Sequence, residues 1–209
     1  MKLTQLLEVS KEMDREWPGL VSNYSKKLVE VYYKDGYWGK AKDELFTYIT
    51  EYNRGDIEAF HDLKNRYDEE VWLRKREEVF NVLAEKRIDI KPLLAFEGLK
   101  DRLYDLLTTK INNDHGFAKF NIMEIGKYES VLRPEYNDKL LDLYVKLIWD
   151  TSEFAGGRPH YQEIVGFMRK IFDYPGGKER AKDMFERFQL RYSNRPAMME
   201  ELQVLYRDI

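Results

Sequence analysis

The sequence predicts an all-α protein of about ten helices, paired as antiparallel hairpins and stacked in a TPR/HEAT-like right-handed array. Three observations lead there. Apolar residues recur at a period near 3.6 along most of the chain, and alternating strand patterns are scarce. Short turn signals built on Gly, Pro, Asn and Asp separate the periodic stretches. Taken in consecutive pairs, the helices start near residues 20, 56, 92, 137 and 177, and a spacing of roughly 35 to 45 residues is typical of stacked helix pairs. Repeat signatures do not recur cleanly, so an irregular helical bundle is the alternative.

Leu20 to Tyr33 carries Leu20, Val21, Tyr24, Leu28, Val31 and Tyr32 at helical spacing, and "KDG" stops it. The next helix runs from about Tyr37 to Tyr52 through Trp38, Ala41, Leu45 and Ile49. It ends at "NRG", where Gly accepts a left-handed backbone. Asp56 is a good N-cap for a helix with Ile57, Phe60, Leu63 and Tyr67 inward. Another follows through Val71, Trp72, Val79, Val82 and Leu83. Pro92 opens a helix, as proline can in a first turn, with Leu93, Phe96, Leu99, Leu103, Leu106 and Leu107 on its face. "TKINNDHG", Thr109 to Gly116, reads as a loop, and Phe117 to Leu132 as a helix weakened by Asn121 and Gly126. "RPEYND" opens a strong helix through Leu140, Leu141, Tyr144, Leu147 and Ile148. "AGGRP" turns the chain into a helix with Tyr161, Ile164, Val165, Met168, Ile171 and Phe172 inward. "YPGG" turns it again, ahead of Ala181, Met184, Phe185, Phe188 and Leu190. Pro196 starts the last helix, with Met198, Met199, Leu202 and Leu205 inward. The whole is read as one helical-repeat domain, 1–209, with room for a weak subdivision near residues 109–119.

Composition bounds the function. The chain is 209 residues, 43% apolar and 35% charged, with 15 Tyr. That many large groups argues against disorder. The net charge of −3 gives no general attraction to a phosphate backbone. The absence of Cys removes disulfides, thiolate zinc sites and cysteine nucleophiles, and fits a reducing, cytoplasmic setting. Apolar runs fall short of the ~18 residues of a membrane helix, and the charged N-terminal stretch does not read as a signal peptide.

Motif candidates resolve toward structure. "PGGKER", Pro175 to Arg180, lacks the upstream glycine, the following Ser or Thr and the preceding strand of a phosphate loop, so it reads as a tight turn. His61, His115 and His160 form no metal-ligand spacing. His115 follows Asp114, which offers only a loose acid–base pair. "NNDHG" lacks the alternating acidic ligands of a calcium loop, and a Gly-x-Ser-x-Gly elbow is missing. "DEEVWLRKREE" alternates in sign and predicts weak pairs Glu70–Arg74 and Arg74–Glu78 on an exposed face. Tyr32, Tyr33, Tyr37, Trp38, Tyr48 and Tyr52 cannot all face one core. They fill the space between helix pairs or act as interface anchors.

Three strings in the C-terminal half, "YESVLRPEYNDKLLDLYVKLI", "GGRPHYQEIVGFMRKI" and "GGKERAKDMFERFQLRYSNRPAMMEEL", share chained helix pairs and two local patterns. One is Arg158 and Tyr161, three apart. The other is a final Tyr192, Arg195, Pro196, Ala197, Glu201 and Leu202. Over residues 90 to 209 the chain resembles the helical C-terminal region of bacterial SWIM zinc-finger proteins. The zinc module is not carried over, because its C-x-C…C-x-H ligands need cysteines that are missing here. The resemblance implies a helical interaction scaffold.

The expected function is therefore a non-catalytic helical-repeat scaffold or adaptor for protein–protein interaction, without catalytic, cofactor or metal residues and with its partner-binding residues unassigned. A regulator or subunit acting near nucleic acid through a local basic strip is the alternative, and an enzyme of unknown class the second. A membrane partner is not expected.

Overall fold

The computed structural model describes residues 2–113, 118–133 and 135–207, and for 110–113 the backbone only. The described residues form twelve α-helices and no strand. The chain divides into two compact units at Leu99/Lys100.

The first unit holds α1 (Leu3–Met13), α2 (Pro18–Lys34), α3 (Trp38–Thr47), α4 (Ile57–Lys64), α5 (Glu69–Glu85) and α6 (Lys91–Phe96), and α3 runs on into a π-helical segment, Tyr48–Tyr52. α2 packs between α1 and α3, while α4 meets α3 and α6. Two apolar clusters form the core. In one, Leu28, Tyr32 and Ala41 are buried, with Leu7 and Tyr33 packed against them. In the other, Phe60 lies edge-on to Trp72 at 4.9 Å and stacks on Phe80 at 5.8 Å. Burying each such ring is worth about 2–3 kcal/mol. The helix starts follow local chemistry. Asp56 accepts from the Ala59 amide at 2.7 Å and Asp68 from the Val71 amide at 2.9 Å, satisfying otherwise orphaned donors.

The second unit holds α7 (Lys100–Asn113), α8 (Ala118–Leu132), α9 (Asn137–Glu153), α10 (Arg158–Lys170), α11 (Gly177–Arg191) and α12 (Pro196–Tyr206), with a 3-10 turn, Ile171–Asp173, after α10. α9 packs on α8, α10 and α11, and α10 packs on α12. Leu140, Tyr144, Ile148, Ile164, Met168, Phe188 and Leu202 are fully or almost fully buried. Trp149 closes on Phe188 edge-on at 4.2 Å.

The all-helical class agrees with the sequence reading, but the helix count does not. The described residues hold twelve helices against about ten expected. α1 carries no strong punctuation and turns most of its apolar residues outward, so its pattern does not resemble a core helix. The helix expected from Pro92 through Leu107 is two, because Gly98 takes φ +67 and ends α6. Apolar spacing continues across that break and hides it. The loop expected over Thr109–Gly116 begins too early, since α7 is helical through Asn113. Residues 114–116, and the Phe117 start expected for the next helix, lie outside the described residues. The unit boundary precedes the stretch near 109–119 where a subdivision was placed. Of the apolar residues expected on inner faces, Leu190 is 84% exposed, Leu20, Trp38, Ile57, Phe96 and Leu106 are exposed too, and Met199 is half-buried.

Candidate functional site

The feature of the first unit with most chemistry is an open groove of about 570 Å3 lined by Lys64, Tyr67, Trp72, Leu73, Arg76 and Glu97 among others. Each wall has a sequence cause. The Asp56 and Asp68 caps start α4 and α5, which carry Lys64 at one end and Trp72 and Arg76 one turn apart on the same face. Gly98, in the left-handed region, closes α6 through its amide to Ala95 O at 3.1 Å and leaves Glu97 on the groove floor. The Phe60 cluster supports the floor from below, with Phe96 edge-on to Phe60 at 6.0 Å.

Glu97 organises the groove. Its side chain is only 4% exposed. It accepts from Lys64 Nζ at 2.9 Å, from Trp72 Nε1 at 3.2 Å and from Arg76 Nη1 at 3.2 Å. Burial alone would push the Glu97 carboxyl up, but the Lys64, Trp72 and Arg76 hydrogen bonds outweigh it and hold the group below the usual carboxylate range. Arg76 also bonds Glu77 at 3.1 Å, and Lys64 sits over the Phe96 ring at 5.7 Å. Such a carboxylate stays ionised at neutral pH and is a poor proton carrier there. Its effect is to hold two cations and an indole in fixed places beside the exposed Leu73.

A second polar cluster lies in the second unit. Glu129 accepts from the Tyr174 hydroxyl and pairs with Lys170 Nζ at 2.8 Å. Tyr144 is fully buried and its ring lies 5.8 Å from that of Tyr174. Gly126 makes room here, since a Cβ on it would come within 3.1 Å of Lys170 Nζ. Burial pushes both phenols far above their ordinary range, with Glu129 adding to the shift. Neither phenol is a nucleophile at neutral pH, and the cluster reads as a buried polar lock between helices.

The remaining candidates fall into structural places. His61 lies 3.2 Å from Asn65 Nδ2 and edge-on to Phe96. His160 bonds Gly156 O from the first turn of α10. His115 and Asp114 lie outside the described residues. In "PGGKER", Gly176 takes φ +71, and a Cβ on Gly177 would stand 1.7 Å from Ile171 O. The two glycines are thus demanded by a tight turn. Two ion pairs expected on α5, Glu70–Arg74 and Arg74–Glu78, are replaced by Lys75–Glu78 and by Arg76 with Glu77 and Glu97. Of the aromatic run, Tyr32 and Tyr48 are buried while Tyr37 and Trp38 are exposed, so the run does not face one core.

The tail residues singled out in the sequence hold helices together. Arg158 bonds Glu200 and, at 2.7 Å, Glu201. The Tyr192 hydroxyl lies 3.0 Å from Ser152 Oγ. Arg195 reaches Ser152 O at 3.4 Å and Ala155 O at 3.3 Å. The Glu97 network escaped the sequence reading because its members lie far apart in the chain. The one local signal was Trp72 and Arg76 at i, i+4.

Among the described residues, no group of three or more His, Cys, Asp or Glu could hold a metal ion, and no helix is long and apolar enough to cross a membrane. No protein-family model, curated protein or solved structure matches this chain.

Proposed function

We propose that the protein is a non-catalytic scaffold in which each unit stacks antiparallel helix hairpins in the TPR/HEAT manner, and that it binds protein. The order of side-chain pairings supports the stacking. Between α1 and α2 they descend, Glu8 with Tyr32 and Asp14 with Tyr24, as in an antiparallel hairpin. Between alternate helices they ascend. Glu8 meets Lys40 and Lys11 meets Glu44 in the first unit. In the second unit Asp101 meets Tyr136, Asp142 meets Arg180 and Glu153 meets Arg191 along α7, α9 and α11. Lys119 meets Glu163, Glu129 meets Lys170 and Arg158 meets Glu201 along α8, α10 and α12. Partners lie about 32 to 44 residues apart, in the range of helix-pair repeats.

The observation that carries the binding function is the Glu97 groove. Fixed cations, an indole and an exposed Leu73 give a partner both apolar and charged anchors at low ordering cost. The relation of residues 90–209 to the helical region of SWIM proteins belongs to the same proposal, as does a cytoplasmic setting. The tail residues behind that resemblance join helices, which suits a scaffold.

The test is capture from native lysate by the immobilised full chain, quantified by mass spectrometry. Leu73→Glu at the groove is compared with Leu190→Glu, which alters an exposed site in the other unit. Proteins recovered by the wild type and by Leu190→Glu, but reduced at least about tenfold with Leu73→Glu, support the reading. Equal recovery by all three sinks it. Recovery abolished by nuclease and by salt favours nucleic acid instead.

A further inference from the structure

We propose that α1 is a self-association helix, through which two copies of the chain pair antiparallel about a two-fold axis. This goes beyond the groove and does not depend on it. α1 has two faces. Leu7 packs against the buried Leu28, Tyr32 and Ala41, while Lys11 bonds Glu44. The opposite face carries Leu3, Leu6, Val9 and Met13, exposed by 51%, 46%, 50% and 78%. Their spacing of three, three and four residues aligns them in one stripe. Exposed Trp17 and Leu20 follow along the chain.

An apolar stripe of this length in water marks an interaction surface.

The charges around the stripe choose the occupant. Lys2 stands at its N-terminal end, with Glu12, Arg15 and Glu16, together net negative, at its C-terminal end. None of these four forms an ion pair within the chain among the described residues. An antiparallel copy brings each Lys2 to the Glu12 and Glu16 of the other, and symmetry makes the contact twice. A parallel copy would set Lys2 against Lys2. Antiparallel helix dipoles also add favourably. A surface complementary to itself in this way is what a two-fold interface requires. An anionic lipid surface needs flanking cations, whereas Glu12 and Glu16 border this stripe and Lys11 is engaged with Glu44.

The test is sedimentation equilibrium of the full chain, tagged at its C-terminus, from about 1 to 100 µM. The expected result is a monomer–dimer equilibrium. Met13→Glu, at the most exposed stripe position, should raise the dissociation constant at least about tenfold, with circular dichroism and melting unchanged. Lys2→Glu should weaken the dimer about threefold, and adding Glu12→Lys and Glu16→Lys to it should restore the affinity. A wild type that stays monomeric overturns the proposal, and so does a dimer indifferent to Met13→Glu. A dimer indifferent to Lys2→Glu means that Lys2 does not meet Glu12 and Glu16, as in parallel pairing, and overturns the geometry. A monomer that co-sediments with phosphatidylserine vesicles assigns the stripe to lipid, which also overturns it.

Discussion

Replacing Glu97 by Gln tests whether the groove is held by charge. The variant keeps the size of the side chain and one acceptor oxygen. It loses the negative charge facing Lys64 and Arg76, and it presents an amide N–H2 to a site that now offers three donors. Hydrogen bonds to charged groups are worth about 1.5–3 kcal/mol, against about 0.5–1.5 for neutral ones. Lys64 is 40% exposed and recovers part of its loss from water, whereas Arg76, at 14%, recovers less. Removing a buried charge also returns some desolvation cost. The balance is a loss of about 2 kcal/mol at pH 7. Urea unfolding followed by circular dichroism reads it directly. The sign with pH follows from the depressed carboxyl of Glu97. Its contribution is present above the unfolded value of about 4.3 and fades as pH falls through the lower folded value. The gap between wild type and variant must therefore narrow in acid. A variant as stable as the wild type at pH 7 refutes the reasoning. So does a gap that stays constant from neutral pH to complete protonation of the carboxyl.

Other expectations follow from single residues. Leu202 is 1% exposed, so Leu202→Ala should cost about 2–4 kcal/mol in the same urea assay, while Leu190→Ala should stay within about 0.5. A loss below about 1 kcal/mol at Leu202 would mean that α12 is not docked. Gly177→Ala should lower the melting temperature clearly, because the new Cβ meets Ile171 O, which is backbone; an unchanged melting temperature would contradict the close approach. Pro196→Ala should change stability little, since a proline at the helix start pre-sets the backbone without an internal bond to lose. The hydrogen bond to Asp101, with burial adding to it, pushes Tyr136 up to about 12. The stability it contributes is complete below its unfolded value near 10 and is lost as pH rises toward 12. Phenolate absorbance of the folded chain should accordingly lose one late-titrating tyrosine in Tyr136→Phe, while Tyr144 and Tyr174 still titrate late.

The punctuation of the chain was readable because it is local chemistry. Asp56, Pro159, Gly176 and Pro196 each mark a helix boundary through their own backbone preferences. Other features were hidden because they depend on contacts distant in sequence. Nothing near Glu97 foretells that Lys64, Trp72 and Arg76 converge on it. Gly98 interrupts an apolar series that reads as continuous from Leu93 to Leu107. Leu190 fits the period of α11 and still faces solvent. α1 was missed for a related reason: its apolar residues mostly face outward, where periodicity says nothing about what they will cover. The tail patterns were noticed as a resemblance, and the structure gives Arg158, Tyr192, Arg195 and Glu201 specific inter-helix bonds.

The most direct test of the scaffold is the relative sense of alternate helices in the second unit. The chain has no Cys, so engineered cysteines accept spin labels cleanly. Exposed positions 142 and 153 on α9, and 180 and 191 on α11, give four label pairs for electron–electron distance measurement. The two positions on each helix are separated by 11 residues, about 16 Å along its axis. The stacked arrangement predicts that 142–180 and 153–191 are the short pairs and that 142–191 and 153–180 are longer. The reverse order, with the crossed pairs short, would contradict it.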